Sequence, residues 1–216
     1  MKNNLTDLPT SPITGRWGFD ARYARMLAES GYLVDSSITP HISWESRLGD
    51  PKKSGGSNYY NFPENCYWID LDDINKASTS SPLLEVPVTV TYLEGFFASV
   101  LRRMFSDGSF PSLVINRLFS RPSMLRPTGS NLGDISLILK KALREAWPYV
   151  LFMLHSSELM PGGSPSFSDS KSIEKLYADL DMLFKTAYRD FEECSLSEFH
   201  RSFGRQVYET QTRVND

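Results

Sequence analysis

Cysteine and histidine are scarce in this chain of 216 residues, which holds two of the first, Cys66 and Cys194, and three of the second, His41, His155 and His200. Two distant cysteines without a CxxC spacing make no disulfide framework. They read as ordinary thiols of a reducing compartment, with one long-range disulfide as the alternative. No histidine stands three or four residues from another, so the HxxxH or HExxH spacing of a local zinc site is absent, and no metal ligands are assigned to this chain. An excess of positive charge is lacking as well. Lys and Arg number 23 against 26 Asp and Glu, a net charge of −3, which offers nucleic-acid phosphates no basic field. Long apolar runs are missing too: Val150 to Leu154 is far short of the ~20 residues that cross a bilayer, and Met1–Pro9 has no apolar signal-peptide region. The expectation is a cytoplasmic protein with no membrane span and no nucleic-acid partner.

What remains is an ordinary globular composition, 40% apolar and 23% charged, which predicts a packed α/β domain. Its length lies near the lower bound of about 200 residues for an α/β barrel and below the usual ~250. Residues 1–14 are polar, carry Pro9 and Pro12, and read as an irregular lead; 201–216 read as a polar tail. Between them, Asp20 is a plausible N-cap for a helix that stops at Gly31, and Tyr32-Leu33-Val34 is a short buried strand ending at Asp35-Ser36-Ser37. Together these form one αβ half-unit of a parallel sheet. A long loop from Ile38 to Pro82 is studded with Trp44, Tyr59, Tyr60, Tyr67 and Trp68, with a short strand expected within Cys66–Leu71. Leu83–Tyr92 is the clearest strand, with Pro87 marking an edge or bulge. Helices are predicted over Phe96–Phe105 and Leu132–Ala146, the second with Asn131 as its cap. A buried strand follows over Tyr149–Leu154, then a Pro/Gly/Ser loop over Ser156–Ser168. Helices over Asp169–Phe191 and Leu196–Val207 complete the pattern.

In α/β folds the working residues stand where parallel strands end. Two polar residues follow apolar runs in that way. Asp35 follows Leu33-Val34, and His155 follows Val150–Leu154. His155 is a candidate general acid or base, or a metal ligand through its neutral ring; the alternative is a histidine merely satisfied by nearby backbone. Asp35 is either a site carboxylate or the opener of a routine Asp-Ser-Ser turn. Ser156-Ser157 lacks a GxSxG elbow, which argues against a serine hydrolase, and Gly162-Gly163 lacks the Lys and helix of a phosphate loop. Arg16, Arg126 and the aromatic loop residues are candidates for a sugar-binding surface, or else for a partly buried loop core.

Three stretches carry a resemblance in the right order. They are Gly15-Arg16-Trp17-Gly18-Phe19-Asp20 with Val34-Asp35-Ser36-Ser37-Ile38-Thr39-Pro40, then Leu84-Glu85-Val86-Pro87-Val88-Thr89, and finally Met153-Leu154-His155-Ser156-Ser157-Glu158-Leu159-Met160-Pro161-Gly162-Gly163-Ser164-Pro165. The chain from about Gly15 to Glu198 resembles the polysaccharide deacetylase (NodB-homology) superfamily, most closely its WalW-like branch. The resemblance implies a domain over 15–200 with a partial, distorted (β/α) barrel that lacks its N-terminal strands. It further implies hydrolysis of N-acetyl groups on a polysaccharide or other N-acetylated glycan. In the family a divalent, zinc-type metal held by an Asp and two His polarises the acetyl carbonyl and activates water. Carried over, His155 is the proton donor to the departing amine, Asp35 and Arg16 are the other catalytic candidates, and Trp17, Ser36, Trp44 and Glu158 are the substrate-binding ones. The family's paired aspartates and HxxxH precede the first of these stretches, and the 14 residues before Gly15 contain no His. The expectation is therefore a deacetylase-like protein that is incomplete and inactive alone, its N-terminal half supplied elsewhere. A metal-free glycan-binding or interaction module and an unrelated α/β protein are the alternatives.

Overall fold

The computed structural model describes residues 18–46, 55–94 and 120–204. The N-terminal lead, Arg16, Trp17 and the helix expected over Phe96–Phe105 lie outside the described residues. The chain is mixed α/β and divides into two compact units, Met1–Pro87 with Glu192–Asp216, and Val88–Phe191.

The first unit begins with α1, Ala21–Glu29, capped as its sequence predicts: the Asp20 side chain accepts from the Tyr23 N–H at 2.8 Å. At the other end Gly31, with φ +82°, lets Tyr32 N–H reach the Leu27 carbonyl at 3.0 Å and its own N–H reach Ala28 at 3.1 Å. That pattern is a Schellman stop, which requires a left-handed residue at this position. The chain then enters β1, Val34–Asp35, while β2 is Tyr67–Trp68 and β3 is Leu84–Glu85. They form a sheet of order β1-β3-β2, with β1 parallel to β3 and β2 antiparallel to it. The expected parallel αβ unit and the short strand within Cys66–Leu71 are both present.

Phe19, Leu27, Ile38, Tyr59, Ile69, Leu83 and Leu84 fill the core of this unit. Each such aliphatic or aromatic side chain removed from water contributes roughly 1.5–3 kcal/mol. Residues 196–204 form a further helix, α4 here, and the remainder of the helix predicted to Val207 lies outside the described residues. The α4 side chains His200 and Phe203 pack on Trp68, with ring centroids at 5.2 and 6.3 Å. Cys66 is buried, Cys194 is exposed and both are free thiols, so no disulfide joins them.

The second unit pairs β4, Val90–Glu94, with β5, Ser120–Met124, from Val90↔Met124 to Glu94↔Ser120. The single strand predicted over Leu83–Tyr92 is thus two, β3 and β4, separated at Pro87, which has no N–H to give to a ladder. The sequence Ser-Arg-Pro-Ser-Met hides β5, whose Pro122 lies opposite Tyr92.

The strand predicted over Tyr149–Leu154 does not form a regular ladder. It runs extended, tied by Thr89 N–H to the Leu151 carbonyl at 3.0 Å, by Leu151 N–H to Thr89 Oγ1 at 2.8 Å and by Met153 N–H to the Leu125 carbonyl at 3.2 Å. A threonine hydroxyl thus takes a place that a strand's carbonyl would hold.

Two helices, α2 over Leu132–Arg144 and α3 over Ser170–Asp190, bury Ile135, Ile138, Leu139, Ile173, Leu176, Leu180 and Leu183 together with Leu125 and Phe167. The apolar positions recur every three or four residues, as a one-faced helix requires. Asp169 caps α3 reciprocally with Ser172. Asn131 stands at the N-cap of α2 but makes no side-chain cap, a departure from the sequence expectation, because its Oδ1 accepts from Thr128 N–H at 2.8 Å instead.

Candidate functional site

Asp35, Ser36 and Trp44 fall in the first unit, His155 and Glu158 in the second. Asp35 and Glu85 are register partners on the parallel strands β1 and β3, so the sheet itself sets two carboxyl groups side by side. Both are fully buried, at 0% exposure. The turn after β1 supplies their donors: Ser37 N–H and Oγ–H reach Asp35 Oδ2 and Oδ1 at 2.9 and 3.0 Å, and Ile38 N–H reaches Glu85 Oε1 at 3.1 Å. Glu85 Oε2 has no N–H or O–H donor beside it. That oxygen is satisfied when it carries the proton and donates it to Asp35, the direction in which the two side chains bond each other.

Burial is the first cause that pushes both carboxyl groups above their ordinary range. The Asp35 charge then raises Glu85 further, while hydrogen bonds from Glu85 and Ser37 partly restrain Asp35. The neighbouring hydroxyl of Tyr59 is pushed up to about 12, chiefly by burial, and that of Tyr67 moves in the same direction. Tyr59 accepts from Phe19 N–H at 3.0 Å, and Tyr67 donates to the Ile74 carbonyl at 2.6 Å. The carboxyl pair and the two tyrosines are thus all withdrawn from water.

Ser36 is buried beside it. Trp44 is half-buried and donates its Nε1–H to Thr39 Oγ1 at 2.7 Å, which orients the indole on the loop following β1.

In the second unit the sequence Met153–Pro165 folds into a compact turn. His155 is exposed and precedes a 3-10 turn over Ser156–Leu159. Glu158 is 2% exposed and works in two directions: Oε2 accepts the His155 backbone N–H at 3.1 Å and Oε1 accepts from Arg126 Nη2 at 2.5 Å. A buried carboxylate of this kind needs its cation, since an unpaired charge in the interior is costly.

The turn continues through Gly162, at φ +74°, and Gly163, where a Cβ would lie 2.0 Å from the Ser157 carbonyl oxygen. Only glycine fits that second position. The imidazole of His155 therefore stands on a turn whose shape is held from below by an ion pair and from the side by a glycine contact.

Of the residues singled out in the sequence, Asp35 and Ser36 come together in one buried cluster, His155 and Glu158 in one turn. Trp44 stands on the segment that follows β1, bonded to Thr39. Arg16 and Trp17 lie outside the described residues. Glu85 is the residue that sequence reasoning passed over as a site candidate. The signal for it is an acid inside an otherwise apolar run, Leu83-Leu84-Glu85-Val86, where a strand buried on both faces has no ordinary place for a charge.

Among the described residues there is no group of three or more His, Cys, Asp or Glu disposed to hold a metal ion. The two buried acids do not fit one either, since three of their four oxygens already accept hydrogen bonds and the fourth lies inside the pair. Comparison of the chain with protein-family models, with curated proteins and with solved structures finds no match. Among the described residues no helix is long and apolar enough to cross a membrane.

Proposed function

We propose that the chain is a polysaccharide deacetylase-like protein that engages an N-acetylated glycan at the His155 turn. In the reaction that the resemblance implies, water adds to the acetyl carbonyl, the carbon–nitrogen bond breaks to release acetate, and the His155 imidazole delivers the proton that the departing amine nitrogen requires, a reaction that the chain does not complete alone. The observation that carries the reading is an exposed imidazole on a turn built to hold it, with Glu158 buried against Arg126 and Gly163 packed against the Ser157 carbonyl.

Asp35 acts as a positioning residue: with both oxygens engaged by Ser37 and no exposed surface, it shapes the loop carrying Ser36 and Trp44 and does not touch substrate. In the family a divalent metal polarises the acetyl carbonyl, a group that the described residues do not fit. The second reading is a metal-free glycan-binding or interaction module.

The test is a titration of the labelled chain with an N-acetylated chitooligosaccharide, read at the His155 ring resonances, together with acetate release and zinc content. A saturable shift at His155 is expected, with neither stoichiometric zinc nor acetate release by the chain alone. Absence of that shift refutes both readings. Glycan affinity unchanged in His155→Ala refutes engagement of the glycan at the His155 turn.

A further inference from the structure

A cavity of about 440 Å³ lies within the second unit, in the size range of small-molecule sites. Its lining includes Arg121 and Ser123 of β5, Arg126 from the loop that follows, and Asn131, Gly133 and Asp134 at the start of α2. Arg121 and Ser123 are two apart on one strand and so share a face. Two guanidinium groups line the cavity, each paired with a carboxylate: Arg121 with Asp134 at 2.7 Å, and Arg126 with Glu158 at 2.5 Å.

Three independent features mark the cavity for an anion. The 13-residue helix α2 begins there without a side-chain cap, because Asn131 has turned its Oδ1 to Thr128 N–H and its Nδ2 to the Arg126 carbonyl, each at 2.8 Å. The Asn131 side chain thus takes none of the first-turn N–H groups of α2, and the acid of that turn, Asp134, is engaged by Arg121. Next, Ser123 is only 6% exposed and its Oγ has no partner, nor has the buried Nε of Arg126. A buried polar group left without a hydrogen bond costs about 1–3 kcal/mol, so two of them at one cavity point to a ligand that completes them. Finally, a Cβ placed on Gly133 would meet nothing within 4 Å, so the space beside the first turn of α2 is open.

We infer that this cavity binds a tetrahedral oxyanion, a phosphate or sulfate group, free or carried on a small molecule. Its donors are the Ser123 hydroxyl, the Arg126 guanidinium and the N–H groups at the start of α2, with the Arg121–Asp134 ion pair at the rim. A strand, a loop and a helix end contribute one part each, and a group with oxygens on several sides answers them better than a planar carboxylate does. The inference does not rest on the glycan reading above.

The test is a titration of the isotope-labelled full chain with inorganic phosphate, sulfate and acetate, read at the Gly133 and Asp134 amides. Phosphate or sulfate is expected to shift both amides saturably, with acetate at least ten-fold weaker. Ser123→Ala is expected to weaken the preferred anion about ten-fold or more, the loss of one hydrogen bond to a charged group. Gly133→Asp puts a carboxylate at the helix N-terminus, where negative charge is favourable; it is expected to melt no lower than the parent and to lose the anion response. No saturable shift at these amides, an unaltered response in either variant, or acetate binding as tightly as phosphate and sulfate would overturn the assignment.

Discussion

Replacing Glu85 by glutamine isolates what the buried carboxyl pair does to stability. In the folded chain Glu85 holds its proton well above the ordinary carboxyl range, because it is buried and faces the Asp35 charge. The unfolded chain gives the same proton up at the usual Glu value. The pair's stabilisation is therefore fully present below that value and is lost as pH rises through and beyond it, until the buried group itself ionises. While the buried group keeps its proton the folded state binds one more proton than the unfolded state, and stability falls by about 1.4 kcal/mol per pH unit. The substituted amide keeps the shape of the side chain, accepts from Ile38 N–H through its carbonyl and donates to Asp35 through its NH2 group, without any proton to lose. Urea denaturation of both proteins from pH 5 to pH 8 is the assay. The other titrating groups are common to the two, so the difference between the curves reports the pair. E85Q is expected to lose less stability than the parent as pH rises above 5, so that the gap between the two widens in favour of E85Q. Curves that stay parallel across the range would show that no proton is retained at Glu85 and would refute the reasoning.

Gly163→Ala drives a Cβ into the Ser157 carbonyl at 2.0 Å and is expected to cost about 3 kcal/mol in urea unfolding and to move the His155 ring resonances. Gly162→Ala at the adjoining left-handed position, with nothing within 4 Å, is expected to cost only about 1–2 kcal/mol and to leave those resonances in place. Equal effects at the two sites would discredit the close approach. Tyr59→Phe leaves the buried Phe19 N–H without the acceptor it now finds at 3.0 Å, an expected loss of about 1–3 kcal/mol by thermal or chemical melting. A neutral result would mean that another acceptor replaces the hydroxyl.

Much of the local architecture was legible in the chain's own pattern. Asp20 before α1, Gly31 after it and Asp169 before α3 act through atoms only a few residues away, and capping chemistry at such range depends little on the rest of the molecule. Asn131 shows the limit: a good N-cap residue by type, it was drawn instead to Thr128 and Arg126 by a loop whose course the pattern did not reveal. The strand β5 escaped notice because its stability comes from pairing with β4 and not from its own polar composition. The segment Tyr149–Leu154 shows the reverse, an apolar run with strand propensity that finds hydroxyl and loop partners in place of a regular ladder.

The site divides along the same line. His155 was visible at the end of an apolar segment, Glu158 entered only through the family resemblance, and the glycines that follow them announced a turn. That Glu158 is buried under Arg126 was not visible, because those two residues meet only when β5 and the turn fold together. Asp35 could be seen as a polar residue at a strand end, yet its partner could not, since the pairing with Glu85 depends on the register of two strands far apart in sequence. By itself the sequence determined where helices start and stop and which positions seek the core, because those choices are made by neighbours along the chain. The tertiary structure alone decided which charges are paired, which are sealed from water and which donors are left open at the cavity beside α2, because burial and distance are properties of segments brought together from remote positions.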